Sequence, residues 1–377
     1  MAYFGTYGKR GPCHLLSSLL ALTQRQGHPH NAFMKSHDAQ CFLFHSASGR
    51  IHKIVSQALL LFALTTGLGR AQVQVTSQED RVHVEIDGKP FTDFILRGGE
   101  AMKPYLHPLR SASGKIVTRH FPMEAVEGEP KDHPHQRGLW FAHERVNGFD
   151  FWNNEANYKS TNRGRITVEK ISNIKSGADA GSVHATLNWL DPKGAKLLEE
   201  SREMVFRKPA GLRIIDFDIT LTAATKIIFG DSKDGVFGIR LAPVLQESAS
   251  EQRSSTNQLA HTGKITNAEG QEHEKAVWGK PSNWMDYAGE IEGEKVGIAI
   301  FDHPQNSPRA RWHVRGYGLF AANPFGLRVF TGDKSQDGSV TLEPGGTLHF
   351  RYRVVIHPGD VKTAGLSGLW DEYLKGH

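Results

Sequence analysis

Between Asp132 and Trp152 the chain reads DHPHQRGLWFAHERVNGFDFW. Those 21 residues hold three histidines, two arginines, one glutamate, two aspartates and two tryptophans, enough for a polar site on their own. Imidazole can ligate a metal, move a proton or hydrogen-bond a hydroxyl near neutral pH. Carboxylates and guanidinium groups supply the acceptors and fixed donors that a polar ligand needs. His133, His135 and Arg137 share parity, so an extended backbone sends all three to one face, and Pro134 favours extension at His133. An H-x-H pair of this kind could take zinc, manganese or iron with Asp132 or Glu144 nearby. The sequence requires no cofactor, and a divalent metal on His133 and His135 is the one candidate. If Gly138 to Val146 is one straight strand, His135 and His143 lie ~26 Å apart at ~3.3 Å per residue. A further ligand would then come from His303, His313 or Asp302.

A second segment, Phe301 to Gly326 (FDHPQNSPRARWHVRGYGLFAANPFG), has the same flavour. An ungapped alignment of Asp132 on Asp302 matches both DHP triplets, His143 with His313, Arg145 with Arg315, Gly148 with Gly318 and Asn153 with Asn323. Two segments built to one plan would line one cleft from both sides. On that reading His135 and His303 move the proton, with Glu144 and Asp302 as partners. Contacts to the ligand come from His133, Arg137, His143, Trp152, His313, Arg315, Tyr317 and Asn323. The structural alternatives are explicit: Asn323-Pro324 starts a turn, paired arginines commonly meet protein carboxylates, and a tryptophan is by default a core residue. The chain has no G-x-S-x-G elbow, no phosphate-cradling G-x-x-x-x-G-K-[ST] and no G-x-G-x-x-G opening a helix, which speaks against hydrolase-elbow, P-loop and Rossmann chemistry.

The elements that must position these residues read as strands. Ile215, Phe217, Ile219 and Leu221 alternate with Asp216, Asp218, Thr220 and Thr222, a period of two with one wet face. Phe350, Tyr352, Val354 and Ile356 repeat the pattern, as do Val183, Ala185, Leu187 and Trp189. Turn signals punctuate them at Asp87-Gly88, Asp191-Pro192-Lys193-Gly194, Asp234-Gly235, Asp337-Gly338 and Pro344-Gly345-Gly346. Only Val361 to Leu374 reads as a helix. The expected fold is all-β, a large antiparallel β-sandwich with a short C-terminal helix. The polar stretch Glu247 to Glu274 is either a loop over a site or a surface excursion.

Residues 1–71 read differently. Ile54 to Leu68 is an apolar run with Arg50, His52 and Lys53 before it and Gly69-Arg70-Ala71 after it, the pattern of a signal peptide cleaved after Ala71. It is shorter than the ~20 apolar residues of a membrane span, so no span is expected in the mature chain. The start of translation is Met1 or Met34. Residues 72–377 then form a single sandwich domain, periplasmic or secreted. The first 71 residues carry seven Lys/Arg and one acid, Asp38, so of totals of 45 basic and 40 acidic residues, 38 and 39 remain, a formal charge of −1. The basic excess belongs to the leader, and no nucleic-acid partner is implied. Cys13 and Cys41 leave with it, which removes disulfides, thiolate nucleophiles and Cys-ligated metals.

With these residues on the page, HPHQRGLWFAHERVNGFDFW and the later FDHP…RWHVRGYG…NPFG resemble the exported bacterial family catalogued as "methane oxygenase PmoA", over nearly all of the mature chain. The membrane subunit which that label evokes has spanning helices, so the name is taken as a label and not an activity. The fold is similar to galactose-mutarotase-like sugar proteins, through His143, Gly148-Phe149-Asp150 and Trp152 and through the Leu342-Glu343-Pro344-Gly345-Gly346 motif before the last strand. That resemblance implies an exported carbohydrate-active protein using His/carboxylate acid–base chemistry on a sugar or glycan, as an epimerase, lyase or hydrolase. The alternatives are a non-catalytic envelope module that binds a glycan or partner, and a metal-dependent oxygenase.

Overall fold

The alternation in Arg213–Ala223 gives the strand one buried and one partly covered face. Ile215, Phe217, Ile219 and Leu221 are buried, and Asp218, Thr220 and Thr222 on the other face are only partly covered. A strand that hides one side needs a second layer against it, and the computed structural model, which describes residues 72–247 and 261–376, supplies one.

The strands, in chain order, begin with β1 (Val73–Ser77), β2 (Arg81–Ile86), β3 (Lys89–Ile95), β4 (Tyr105–Leu106), β5 (Leu139–His143) and β6 (Arg165–Lys175). Next come β7 (Ala180–Leu190), β8 (Lys196–Arg207), β9 (Arg213–Ala223), β10 (Ile227–Phe229), β11 (Gly235–Arg240) and β12 (Lys264–Asn267). The last six are β13 (Trp284–Ile291), β14 (Glu294–Asp302), β15 (Arg311–Arg315), β16 (Leu319–Asn323), β17 (Val340–Leu342) and β18 (Thr347–Pro358). Two eight-stranded sheets result, ordered β1-β2-β3-β4-β5-β11-β16-β15 and β12-β13-β14-β18-β9-β8-β7-β6, with a small β10-β17 pair. All of these pairings are antiparallel, so the fold is the expected all-β sandwich.

The register across the first sheet decides what each face offers. Phe141, Phe237, Ala322 and Trp312 form one cross-strand row. Phe237 stacks on Tyr352 of the second sheet at 4.5 Å, so this row faces the shared core. The neighbouring row, Trp140, Gly238, Ala321 and His313, must face away from it. Here Trp152 packs on Trp140 at 4.9 Å and lies over Gly238, where a Cβ would come 2.6 Å from its ring. Only glycine lets the indole settle there.

The tail is helical but in two pieces, α3 (Val361–Ala364) and α4 (Leu366–Lys375), after short helices α1 (Glu274–Val277) and α2 (Leu327–Thr331). Gly365 at φ 63° breaks it, and the Asp360 side chain caps α3 by accepting from the Thr363 amide at 2.8 Å. Leu366, Trp370 and Tyr373 bury one stripe against Phe301, Val355 and Ile214 on the outer face of the second sheet. That cover explains one departure from the sequence reading. Asp216, expected to be wet, is 5% exposed and ion-paired to Arg353 and Arg207. Among the described residues, no helix is long and apolar enough to cross a membrane. The expected leader and its cleavage point before Gln72 lie outside the described residues.

Candidate functional site

The DHPH segment is a turn and not the extended stretch that parity assumes. His133 has φ 45° and its carbonyl accepts the Gln136 amide at 3.0 Å. A left-handed histidine reverses the chain, so His133 and His135 meet edge to face with ring centroids 5.7 Å apart, and Arg137 leaves them to pair with Glu155. Gly138 follows at φ 51°, where a Cβ would sit 2.0 Å from the Leu106 carbonyl oxygen, which fixes glycine at the doorway to β5.

Two buried arginines hold the turn. Arg119 donates to Asp132 Oδ1 at 2.7 Å and to the carbonyls of Asp132 and His133 at 2.8 and 2.9 Å. Arg240, at the end of β11, reaches both Asp132 oxygens at 3.0 Å and also bonds Gln136. Burial works against ionising Asp132. The hydrogen bond from His133 and the charges of Arg240 and Arg119 outweigh it and hold the carboxyl well below the usual range. The ionised Asp132 accepts His133 Nδ1–H at 2.5 Å, which leaves the Nε2 lone pair of His133 pointing away from the carboxylate. The same ring stacks on Tyr317 at 5.5 Å and 9°, and the Arg240 guanidinium lies 4.5 Å from the Tyr317 ring centre. His133 keeps 39% of its side chain exposed, so a base oriented by a carboxylate opens to solvent here.

His135 is its buried neighbour. Its Nδ1 lies 3.0 Å from the Tyr158 hydroxyl. Burial, with the charge of Lys103, pushes the imidazole down to about 2, so it is neutral at any ordinary pH. Arg163 lies over the Tyr158 ring at 4.2 Å. Lys103 is itself buried, donating to the Trp152 carbonyl at 2.7 Å and to Asn154 Oδ1 at 2.5 Å. Burial lowers its ammonium to about 7 although Glu155 and Asp150 oppose the shift. Arg119, Arg240, Lys103, Tyr158 and Arg163 were absent from the sequence expectations. They come from four separate stretches, and nothing local marks them.

The second DHP segment does not join this cluster. Asp302 ends β14 of the other sheet, fully buried, accepting from Arg309 at 2.8 Å, Asn306 at 2.7 Å and the Ala310 amide at 3.1 Å. The His303 ring abuts Tyr373 of α4 at 5.3 Å. The expected shared cleft is therefore not formed, because the first triplet precedes a strand of one sheet and the second closes a strand of the other. The alignment also pairs His143 with His313, yet by strand parity these point to opposite faces. His143 sits in the core against Phe325 at 5.0 Å with Nε2 2.7 Å from the Gly230 carbonyl. His313 lies on the outer face, its Nδ1 3.6 Å from Asp234 Oδ1. Burial brings both down to about 4.

The remaining candidates hold structural bonds. Glu144 accepts from Ser232, Asn323 donates to the carbonyls of Ser232 and Lys233 at 2.8 Å, and Trp152 is wholly buried. Arg315 Nε lies 3.1 Å from Glu274 Oε1 but off the hydrogen-bond line, an ion pair without an aligned bond. Of the expected residues, His133, His135 and Tyr317 converge and Arg137 borders them through Glu155. Among the described residues no group of three or more His, Cys, Asp or Glu is placed to hold a metal ion. Both Nδ1 atoms of the H-x-H pair are engaged, by Asp132 and Tyr158. Several buried donors outside the shared core carry no hydrogen bond among the described residues: Trp140 Nε1, Trp278 Nε1, and Nε and Nη1 of Arg163. Native proteins rarely leave such groups unpaired without a ligand or water to take them.

The sequence profile of DUF6807, a family of unknown function, matches residues 81–371. The chain belongs to that family. A comparison with curated proteins finds no match. Among solved structures, the chain is similar to the GH36 α-galactosidase AgaA from Geobacillus stearothermophilus, with 11% identity, a TM-score of 0.35, and coverage of 76% of this chain and 40% of that one. For AgaB of the same organism the values are 10%, 0.36, 76% and 41%. For the galactose mutarotase related enzyme from Lactobacillus acidophilus they are 10%, 0.27, 76% and 97%. The chain thus spans about two fifths of the α-galactosidases it overlaps.

Proposed function

We propose that this protein binds a sugar or sugar derivative at the His133–His135 pocket and transforms it by proton transfer. One observation carries the reading: the Asp132–His133 pair, its carboxylate locked ionised by two buried arginines and its imidazole half open to solvent. A histidine oriented through Nδ1 by a carboxylate offers Nε2 as a base, the arrangement general acid–base catalysis uses. His135, neutral and tied to Tyr158, offers the complementary donor or acceptor on the adjacent side. The Arg163 guanidinium, stacked on Tyr158 with Nε and Nη1 free of hydrogen bonds, matches a ligand rich in acceptor oxygens. Asp132 replaces Glu144 and Asp302 as the carboxylate in this scheme, and His133 replaces His303. Epimerisation, elimination and hydrolysis all need an acid and a base on one bond, so the pocket supports any of the three.

The test is a screen of neutral and oxidised sugars for binding and for product. Turnover by the parent protein that vanishes in His133→Ala and His135→Ala supports the reading. Turnover unchanged in both variants ends it. Binding without product, insensitive to pH between about 5 and 8, favours instead the non-catalytic module, which the unpaired donors alone would serve. Export belongs to the same proposal, and native protein beginning at or near Gln72 by mass spectrometry is its check. The oxygenase label rests on the name of the resembling family. Metal analysis of the purified protein decides that reading, with a stoichiometric ion in its favour and a metal-free active protein against it.

A further inference from the structure

The carboxylates around this cluster are engaged by partners other than Arg163. Asp132 is shared between Arg119 and Arg240. Glu155 is engaged by Arg137 through both guanidinium Nε, at 2.9 Å, and Nη2. Asp150 Oδ1 accepts the amides of Trp152 and Asn153 at 2.9 and 2.8 Å, and Glu129 is engaged by His120 and the Phe121 amide. Lys103 Nζ reaches only neutral oxygens. Arg163 has no ion pair among the described residues, and its buried Nε and Nη1 carry no hydrogen bond. Its guanidinium rests on Tyr158, whose hydroxyl bonds His135. A guanidinium cannot shed its charge as a lysine can. Two buried N–H groups with no acceptor therefore call for an anion beside Tyr158 and His135.

We propose that the ligand is an acidic sugar whose carboxylate is held by Arg163 next to His135 and Tyr158. The proposal rests on the sugar reading above and narrows it. A single free guanidinium balances a monoanion, which favours a carboxylate over a doubly charged phosphate ester. The sugar ring would then lie toward His133 and Tyr317, with its hydroxyls within reach of the Asp132-oriented imidazole.

The experiment measures calorimetric affinities of the full chain for D-glucuronate, D-galacturonate and D-mannuronate. Each is set against its parent hexose, its neutral uronamide and its 6-phosphate. The expected result is at least one uronate binding about tenfold or more tighter than its hexose and amide. That preference should weaken between about 50 mM and about 500 mM salt. In Arg163→Met the ratio of uronate to hexose affinity falls to about one, and Arg163→Lys retains part of the preference. Equal affinity for uronate and hexose overturns the proposal and leaves the sugar reading standing. Tighter binding of the 6-phosphate overturns the choice of carboxylate. A preference that survives Arg163→Met removes Arg163 as its seat. If no sugar of any kind binds, the proposal and the sugar reading fall together.

Discussion

The chain contains the triplet Asp-His-Pro twice, and the two copies have opposite fates. At Asp302 the carboxylate is buried with every partner inside eight residues, and His303 is pressed under the C-terminal helix. At Asp132 the carboxylate is shared by Arg119 and Arg240, one of them 108 positions away, and its histidine stands 39% exposed in a left-handed conformation. The second copy is closed and satisfied, whereas the first is constrained on one side and open on the other. A motif therefore does not carry a role by its letters. What separates a site from a brace is whether the partners exhaust the side chain.

The largest effect should come from breaking the closed copy. Asp302→Ala leaves the Ala310 N–H and one Asn306 N–H without an acceptor and unpairs Arg309, and should lower unfolding free energy by about 3 kcal/mol. Chemical denaturation measures this, and the ligand affinity of the folded variant should match the parent. The open copy should respond the other way round. His133→Ala should reduce turnover by about 10²–10⁴-fold, while its stability falls by about 1 kcal/mol, less than at Asp302. If both variants lose stability and keep activity, the distinction between the copies is wrong.

His133→Gly sharpens the point further. Glycine accepts φ 45° without strain, so it should gain about 1 kcal/mol over His133→Ala while staying inactive. At the closed copy no such gain exists.

Acid should probe the buried histidines collectively. His107, His135, His143 and His313 sit at about 3, 2, 4 and 4 in the fold, against 6.5 unfolded, with burial the first cause in each. Between those values the unfolded chain binds protons that the folded chain does not. Their contribution is present above pH 6.5 and is lost as pH falls toward 4. Lys103, lowered from 10.5 to about 7, has the same sign at the alkaline end, so its contribution rises between those values. Denaturation midpoints in urea across pH 4 to 10 test both, and a flat profile from 6.5 down to 4.5 would contradict the buried neutral imidazoles. His303→Ala should cost about 1 kcal/mol from lost packing on Tyr373 and the lost Gln305 amide bond, with no change in binding.

Much of the scaffold was legible in the residues. Alternation located β7, β9 and β18, and the helical tail was placed to within a residue or so. What periodicity could not see was the cover: Asp216 looked solvent-facing because the helix that buries it lies more than 140 residues downstream. The site was half legible. His133, His135 and Tyr317 were named, because composition concentrates there. The fixed parity assumed for His133–Arg137 failed at one left-handed residue, which turned Arg137 toward Glu155. Arg119, Arg240 and Arg163 carry no local signal, since a guanidinium in a strand or loop announces nothing until its neighbours across the sheet are known.

Arg240 also sets a clock. The Asp132 carboxylate is clamped only when β11 lies beside β5, and Tyr317 reaches His133 only after β15 and β16 have been added to the same sheet. These closures span about 100 to 180 residues of chain, the slow, entropically costly kind. A ribosome must therefore have released residue 323 before the pocket can exist at all. Any ligand signal reports a finished molecule, and during refolding, capture of ligand should lag behind the gain of β structure.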